Sequence, residues 1–395
     1  MSTIAPLWTR NFIVASMITS FQAIVFYMLL VVIAGYAVHE LDASTTQAGI
    51  ISGLFIVGML SGRLTVNQLI DRFERKTVLW TSTILFTLCS GLYVFSSSIE
   101  SLSFIRFLHG LSFGIANSLV STIVAQIIPP SRRAEGIGYY SLSITMGTAL
   151  GPFLGIFLIL NASYDAIFIA SVAAAMLACL VTLGLNIPAL PEKKAPSLEH
   201  AKPSFFQRVI EPAVFPIGAV MVICSVCYSG VLSFITFYTA ELDITKAATV
   251  FFLVYAVATL LSRPVTGKLM DKHGENIVMY PALIALGIGF IVLAFTQNSF
   301  HLLTSAALFG FGFGNLQSIG QEIAIKSAPI ERMGVATSTF FITVDAGFGF
   351  GPFILGAVVM YLNYSELYLF SAFVVAFSIL LYFLVHGRKA KIIKN

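Results

Sequence analysis

The chain has 395 residues, 57% of them hydrophobic and only 10% charged, with a formal net charge of +4 and a mean hydropathy of +0.92. A soluble chain of this length carries roughly 25% charged residues, so this one cannot cover itself with charge and its predicted solvent is lipid. Lipid offers open backbone groups no partner, which leaves helices or closed barrels. Barrel strands alternate apolar and polar positions, whereas runs such as 370–384 are continuously apolar, so an all-α membrane protein is expected. The basic residues are not gathered into one patch, which argues against nucleic acid as a partner.

Residues 1–10 are too polar and too short for a cleavable leader, and no small-residue cleavage site follows the first apolar run, so that run reads as an uncleaved span. Apolar segments of spanning length, about 20 residues, follow in order near 11–36, 46–70, 77–97, 101–127, 136–160 and 165–187. A polar stretch, 188–208, holds Pro188, Pro191, Pro196 and Pro203 among charges and reads as a linker. Six more segments lie near 213–239, 247–270, 276–297, 301–327, 334–361 and 366–386. The predicted organisation is therefore two six-helix bundles, 1–187 and 213–395, joined by a linker over 188–212. Apart from Lys246 and the intramembrane Arg63, Arg106 and Arg263, every Lys and Arg falls on one side of the connections. By the positive-inside rule both termini and the linker are expected in the cytoplasm, in a cell membrane, with the bilayer itself as a partner.

Cys224 and Cys227 have redox or zinc spacing, but inside an apolar helix they read as small packing residues. No second Cys/His pair accompanies them and the six histidines are scattered, so no metal and no cofactor is expected. No nucleophile–base constellation and no Gly-x-x-x-x-Gly-Lys-Ser/Thr phosphate loop is present, so neither an enzyme nor an ATP-driven pump is indicated. The sequons Asn161-Ala-Ser163 and Asn363-Tyr-Ser365 matter only in a secretory pathway.

A shift of 200 residues brings specific residues into coincidence. Arg63 meets Arg263, Asp71 meets Asp271, Gly110 meets Gly310, Gly114 meets Gly314, and Arg132 meets Arg332. Gly147, Gly151 and Pro152 meet Gly347, Gly351 and Pro352. Near the first span of each half the shift is 201: Tyr27 meets Tyr228, and Glu40-Leu-Asp42 meets Glu241-Leu-Asp243. Six spans per half return the chain to the same side, so the repeats are parallel. Parallel repeats place a substrate cavity at their interface and alternate access by rocking.

After the second span the chain reads Asn67-Gln-Leu-Ile-Asp71-Arg72-Phe-Glu74-Arg75-Lys76, and after the eighth Gly267-Lys-Leu-Met-Asp271-Lys272-His-Gly274. Together these resemble the loop signature of the Major Facilitator Superfamily, Gly-x-x-x-Asp-x-x-Gly-Arg-Lys. The first copy has Asn67 and Glu74 in place of the glycines; the second has Glu275 and Asn276 in place of the basic pair. The resemblance implies a 12-helix fold and a cytoplasmic gate in which a carboxylate near basic groups and helix N-termini favours one closed state. Asp71, Arg72, Arg75, Arg132, Asp271 and Gly274 are its candidates. Gly147, Gly151 and Pro152, repeated by Gly347, Gly351 and Pro352, resemble the Gly-Pro motif of the superfamily's drug/proton antiporters, where small residues allow close helix packing and Pro bends the span. Ile156 departs from that motif's glycine.

Arg106 and Gly110 resemble the family's Arg-x-x-x-Gly motif, whose Arg takes part in proton coupling. Its repeat partner is Ala306, so it is not repeated architecture. Arg106, Gly110, Phe113 and Asn117 share one helical face. The alternative is an Arg that snorkels to the interface. Asp345 lies midway along its span with Thr145 as partner. An ionised Asp at midplane costs on the order of 3 kcal/mol, which suits a group that exchanges a proton; a counter-charge for Arg106 or a site for a cationic substrate are alternatives. Glu322, near the inner end of its span, is expected to be wet. Polar candidates for the substrate cavity are Gln22, Tyr27, Asn117, Tyr140, Tyr228, Asn315, Gln317 and Gln321.

The expectation is a monomeric secondary transporter, a proton-coupled exporter of small amphipathic compounds. Rival readings are an importer or facilitator of a sugar, metabolite or siderophore-like molecule, and, from another class, a lipid flippase or a non-transporting receptor.

Overall fold

The computed structural model describes residues 6–187, 206, 209–359 and 361–390. The linker expectation over 188–208, Phe206 excepted, lies outside the described residues, as do Lys193, Lys194, Lys202, Arg208, Lys391 and Lys394. Twelve long helices follow one another among the described residues: α1 (Arg10–Glu40), α2 (Thr45–Arg72), α3 (Arg75–Leu92), α4 (Ile99–Ile127), α5 (Arg133–Asn161), α6 (Tyr164–Thr182), α7 (Phe215–Glu241), α8 (Thr245–His273), α9 (Asn276–Ala294), α10 (Ser299–Lys326), α11 (Met333–Val359) and α12 (Tyr364–Tyr382). At 1.5 Å per residue even the 18 residues of α3 approach the hydrocarbon thickness. Eleven helices are long and apolar enough to cross a membrane. The remaining one, α10, is of spanning length but carries buried Asn315, Gln321 and Glu322.

The helix starts are written in the local sequence, and twice over. Ser98 caps α4 through the Ser101 backbone N–H at 3.2 Å, and its repeat partner Asn298 caps α10 through His301 at 3.1 Å. Ser163 caps α6 at 3.3 Å and Asn363 caps α12 at 2.9 Å. Each side-chain oxygen satisfies one of the four N–H groups that a helix start leaves open. Both sequons thus lend a residue to a helix cap. The repeated Glu-Leu-Asp has its own reason: Asp42 (φ 52°) and Asp243 (φ 55°) both adopt the left-handed conformation, which Asp tolerates better than most residues.

The described chain packs as two compact units. Unit 1 contains 1–129, 146–211 and 328–339, and unit 2 contains 130–145, 212–327 and 340–395. The segments 130–145 and 328–339 come from corresponding stretches of the two repeats, and each packs with the unit of the other repeat.

In unit 1 the α2–α4 seam is the most extensive helix pair. Gly110 and Gly114 of α4 face the backbone carbonyls of Phe55 and Met59, while Gly58 and Gly62 of α2 face those of Phe107 and Leu111. In unit 2 α10 packs on α8 and α9, with Gly310 against the Tyr255 carbonyl. Small residues at such crossings let backbones meet, which supplies packing where lipid gives no hydrophobic drive.

The missing basic pair of the second loop motif has found another use. Glu275 Oε1 lies 3.0 Å from His386 Nε2. Asn276 donates to the Gly387 carbonyl at 2.8 Å and accepts from the Tyr382 hydroxyl at 2.7 Å, so the pair fastens the end of α12 to the α8–α9 turn. The His386 hydrogen bond, more than its other neighbours, holds the Glu275 carboxyl below the usual carboxylate range. A depressed carboxylate contributes stability that is present above its unfolded pKa, about 4.3, and is lost as pH falls through the folded value. Glu275→Gln should therefore lower the melting temperature at pH 7 by about 2 °C, the size expected of a part-buried pair. The difference should vanish below about pH 4. An equal deficit at both pH values would show that the carboxylate's charge is not what stabilises this turn.

Candidate functional site

Of the gate candidates, Arg132, Asp271 and Gly274 lie in unit 2. Asp271, in the last turn of α8, accepts from the backbone N–H of Ala134 and of Glu135, each at 3.0 Å. A carboxylate there faces the open N–H groups and positive end of α5. Arg132 forms a fork on Glu135, with Nε to Oε2 at 2.7 Å and Nη2 to Oε1 at 3.0 Å, and Lys268 stands 4.0 Å from the same carboxylate. Glu135 was not legible in the sequence, because its repeat partner is Val335. Gly274 follows α8 at φ 87°, a conformation that excludes most other residues. Asn offers one acceptor oxygen where Asp271 offers two, so Asp271→Asn should weaken this clamp by roughly 1–2 kcal/mol. We expect labelling of a cysteine placed at Gly138, a buried site with room for a Cβ, to rise several-fold in that variant. Unchanged labelling would remove Asp271 from the gate.

The first copy of the motif is built differently. Glu74 precedes α3 with φ −59°, so glycine's freedom is not needed there. The glycine that closes the packing has changed sides. In unit 2, Gly267 lies against the backbone of Glu135, its would-be Cβ 2.7 Å from Glu135 Cα. In unit 1, Asn67 holds the equivalent place and Gly334, repeat partner of Ala134, lies beside it, with 3.4 Å from its would-be Cβ to Asn67 Oδ1. Arg332 pairs with Glu211, and Arg75 donates to Gln126 at 2.9 Å. Asp71 and Arg72 are exposed.

The Gly-Pro motif works as a contact in each unit. Gly147 and Gly151 lie on Ala23 and Tyr27 of α1, and Gly347 and Gly351 on Ser225 and Ser229 of α7. Pro152 and Pro352 sit inside α5 and α11.

Arg106 is 0% exposed: it points into unit 1 and does not snorkel. Its guanidinium lies 4.7 Å from the centre of the Phe55 ring, a cation–π contact. Nε and Nη2 reach the carbonyls of Ile51 and Ser52 at 3.5 and 3.4 Å, the long end of the hydrogen-bond range. Beside it lies a group the sequence did not single out. His109 Nδ1 is 3.0 Å from the Tyr93 hydroxyl and Nε2 is 3.2 Å from Ser90 Oγ. The signal was available: the partners of Ser90, Tyr93, Arg106 and His109 are Phe290, Leu293, Ala306 and Phe309, all apolar.

Asp345 lies midway along α11 and is 8% exposed. Glu322 corrects an expectation: it is 0% exposed and pairs with Lys326 at 3.2 Å, because the helices around α10 shut solvent out.

The cavity candidates divide between the units. In unit 1, Gln22 is buried with neither end of its amide bonded. Asn117 is buried, and Tyr27 packs edge-on against Phe26 at 4.7 Å. In unit 2, Tyr228 stacks on Phe313 at 4.4 Å and on Tyr255 at 5.6 Å. Tyr140 and Gln321 are buried and Gln317 is half-buried. Asn315 is occupied structurally, donating to Ser262 and Phe311 and accepting from Thr266 at 2.8 Å. A cavity of about 10 Å³ lies between Ala134, Gly138, Thr266, Gly267, Met270, Ser318 and Ile319; it holds a water-sized group and includes none of these candidates.

Known proteins agree with this architecture. The chain is 25% identical over 386 residues to the multidrug resistance protein MdtG of Escherichia fergusonii, covering 94% of this chain and 93% of that one. It is 23% identical over 360 residues to the staphylopine export protein of Staphylococcus aureus, covering 88% and 89%. The crystal structure of the human organic anion transporter MFSD10 superposes with a TM-score of 0.73 at 16% identity, covering 94% of this chain and 99% of that one. The sequence model of the Major Facilitator Superfamily matches residues 15–344 and 247–395. Twelve long helices among the described residues, a doubled loop motif and a family match running to the end of the chain make this protein a member of the Major Facilitator Superfamily, a multi-pass membrane transporter and not an enzyme.

Proposed function

We propose that this transporter exports small amphipathic compounds in exchange for protons, by alternating access, from a cell membrane in which both termini face the cytoplasm. The observation that carries the reading is Asp345, a carboxylate 8% exposed in the middle of a membrane helix where the other repeat has Thr145. A charge is costly inside a membrane, and taking up a proton there is the simplest way to link substrate release to proton entry. Arg106, buried at a position that the second repeat fills with Ala306, tunes that coupling. Export is supported by a relative named for it, the staphylopine export protein, and by the doubled Gly-Pro contact. The aromatic stack on Tyr228 in unit 2 is the proposed substrate contact, and protons and a single small molecule are the proposed partners of a monomer. The test is a substrate screen in inverted vesicles with and without an imposed proton gradient. Gradient-dependent accumulation of amphipathic compounds is expected. Uptake of sugars or metabolites that ignores the gradient would replace this reading with a facilitator.

A further inference from the structure

Arg106 is a buried cation without an anion. Its Nη1 has no hydrogen-bond partner, Nε and Nη2 make only long contacts to neutral carbonyls, its other neighbours are the neutral Tyr93 hydroxyl and the Phe55 ring, and among the described residues no carboxylate pairs with it. The neighbouring histidine brings no negative charge. The Ser90 hydroxyl gives its proton to the Phe86 carbonyl at 2.9 Å, so toward His109 it can only accept, which assigns the ring proton to Nε2. Nδ1 is then the acceptor and the Tyr93 hydroxyl donates to it. Phe86 and Phe113 close the aromatic wall around His109 and Phe55. A lone buried charge of this kind is strongly unfavourable.

The fold does not require it. The four matching positions of the second repeat, Phe290, Leu293, Ala306 and Phe309, are apolar, and Phe290 packs against Phe309 at 4.8 Å. The same helix arrangement therefore stands without a charge, and the charge in unit 1 needs another reason. We propose that Arg106 receives a carboxylate carried by the transported compound when alternating access exposes it, with Phe55 and Tyr93 holding the guanidinium and the partnerless Nη1 as the donor left over. A monoanion brings the site to neutrality, whereas a dianion would leave an excess negative charge among phenylalanine rings. A planar carboxylate also fits the donor fork of Arg. The substrates are accordingly amphipathic acids. The inference rests on the reading of the chain as a transporter of small amphipathic compounds.

Binding of 1-naphthoate and of its neutral amide, 1-naphthamide, to the purified full-length protein at pH 7 without any gradient tests it. The acid should bind at least tenfold more tightly than the amide, and Arg106→Gln should erase that preference. If the Gln variant does not fold, Arg106→Lys is measured instead; it keeps the charge without the fork and should weaken the acid several-fold. Equal binding of acid and amide by the wild type, or no binding of either, overturns the proposal. So does a preference that survives in the folded Gln variant or an acid affinity unchanged in the Lys variant. Because no gradient is applied, loss of proton coupling cannot mimic these failures, and proton-driven flux of neutral compounds with no acid preference would sink this inference alone.

Discussion

Asp345→Asn is expected to give a folded protein that has lost proton-driven transport. Asn has the shape of Asp without its charge, so helix α11 keeps its packing and an unfavourable buried ionisation is removed. What disappears is the proposed proton site. In wild-type vesicles a gradient of one pH unit and 100 mV supplies about 1.4 and 2.3 kcal/mol per proton respectively. The variant should be unable to use either, so gradient-driven accumulation should fall at least tenfold, a difference of about 1.4 kcal/mol or more. Exchange of labelled substrate at zero gradient should persist. Thr145 is the control. It occupies the matching place in the other repeat, donates to the Ser141 carbonyl at 3.3 Å and carries no ionisable group, so Thr145→Val should leave the coupling intact. Undiminished gradient-driven accumulation in Asp345→Asn would remove this residue from the mechanism.

The second large effect is structural. Gly110→Val should prevent unit 1 from assembling. A Cβ at Gly110 would collide with the Phe55 carbonyl, and the reciprocal glycines of α2 face the backbone of α4 in the same way. A side chain can rotate out of a crowded site, but a backbone carbonyl in a helix cannot. Overpacking in a core typically costs about 1–3 kcal/mol and sometimes more; here relief requires separating two helices, with loss of their whole seam. Phe55, which lies under the Arg106 guanidinium, would move with it. The yield of monodisperse protein should drop at least tenfold, an effect of about 1.4 kcal/mol or more on the folded population. Gly91→Ala is the comparison, since a Cβ there meets only Val172 Cγ2 at 3.9 Å, and it should purify as the wild type does. Normal recovery of Gly110→Val would mean that the α2–α4 crossing is looser than its geometry indicates.

Much of this protein is local and therefore legible in its sequence. Apolar runs of spanning length fix helices, because lipid leaves the backbone no other partner. Ser98 and Asn298, or Asp42 and Asp243, set helix starts and turns through groups a few residues away. The 200-residue repeat exposes the paired architecture and, at Arg106 and Asp345, the places where it breaks. The faces of the helices are another matter. In water a polar face marks the outside, but in lipid the outside and the core are both apolar, so periodicity does not say where a side chain points. Hence only the tertiary structure decides that Arg106 turns inward, that Glu322 is dry and paired with Lys326, and that Glu135 serves Asp271's end of α5. It also decides that Gly334 takes over the closing role left by Asn67, since that contact joins residues 267 positions apart. The ring of Ser90, Tyr93 and His109 around Arg106 needed both kinds of information. The sequence held the contrast with the second repeat, and only the packing of α3 on α4 brought Ser90 and Tyr93 onto His109 beside the buried Arg106.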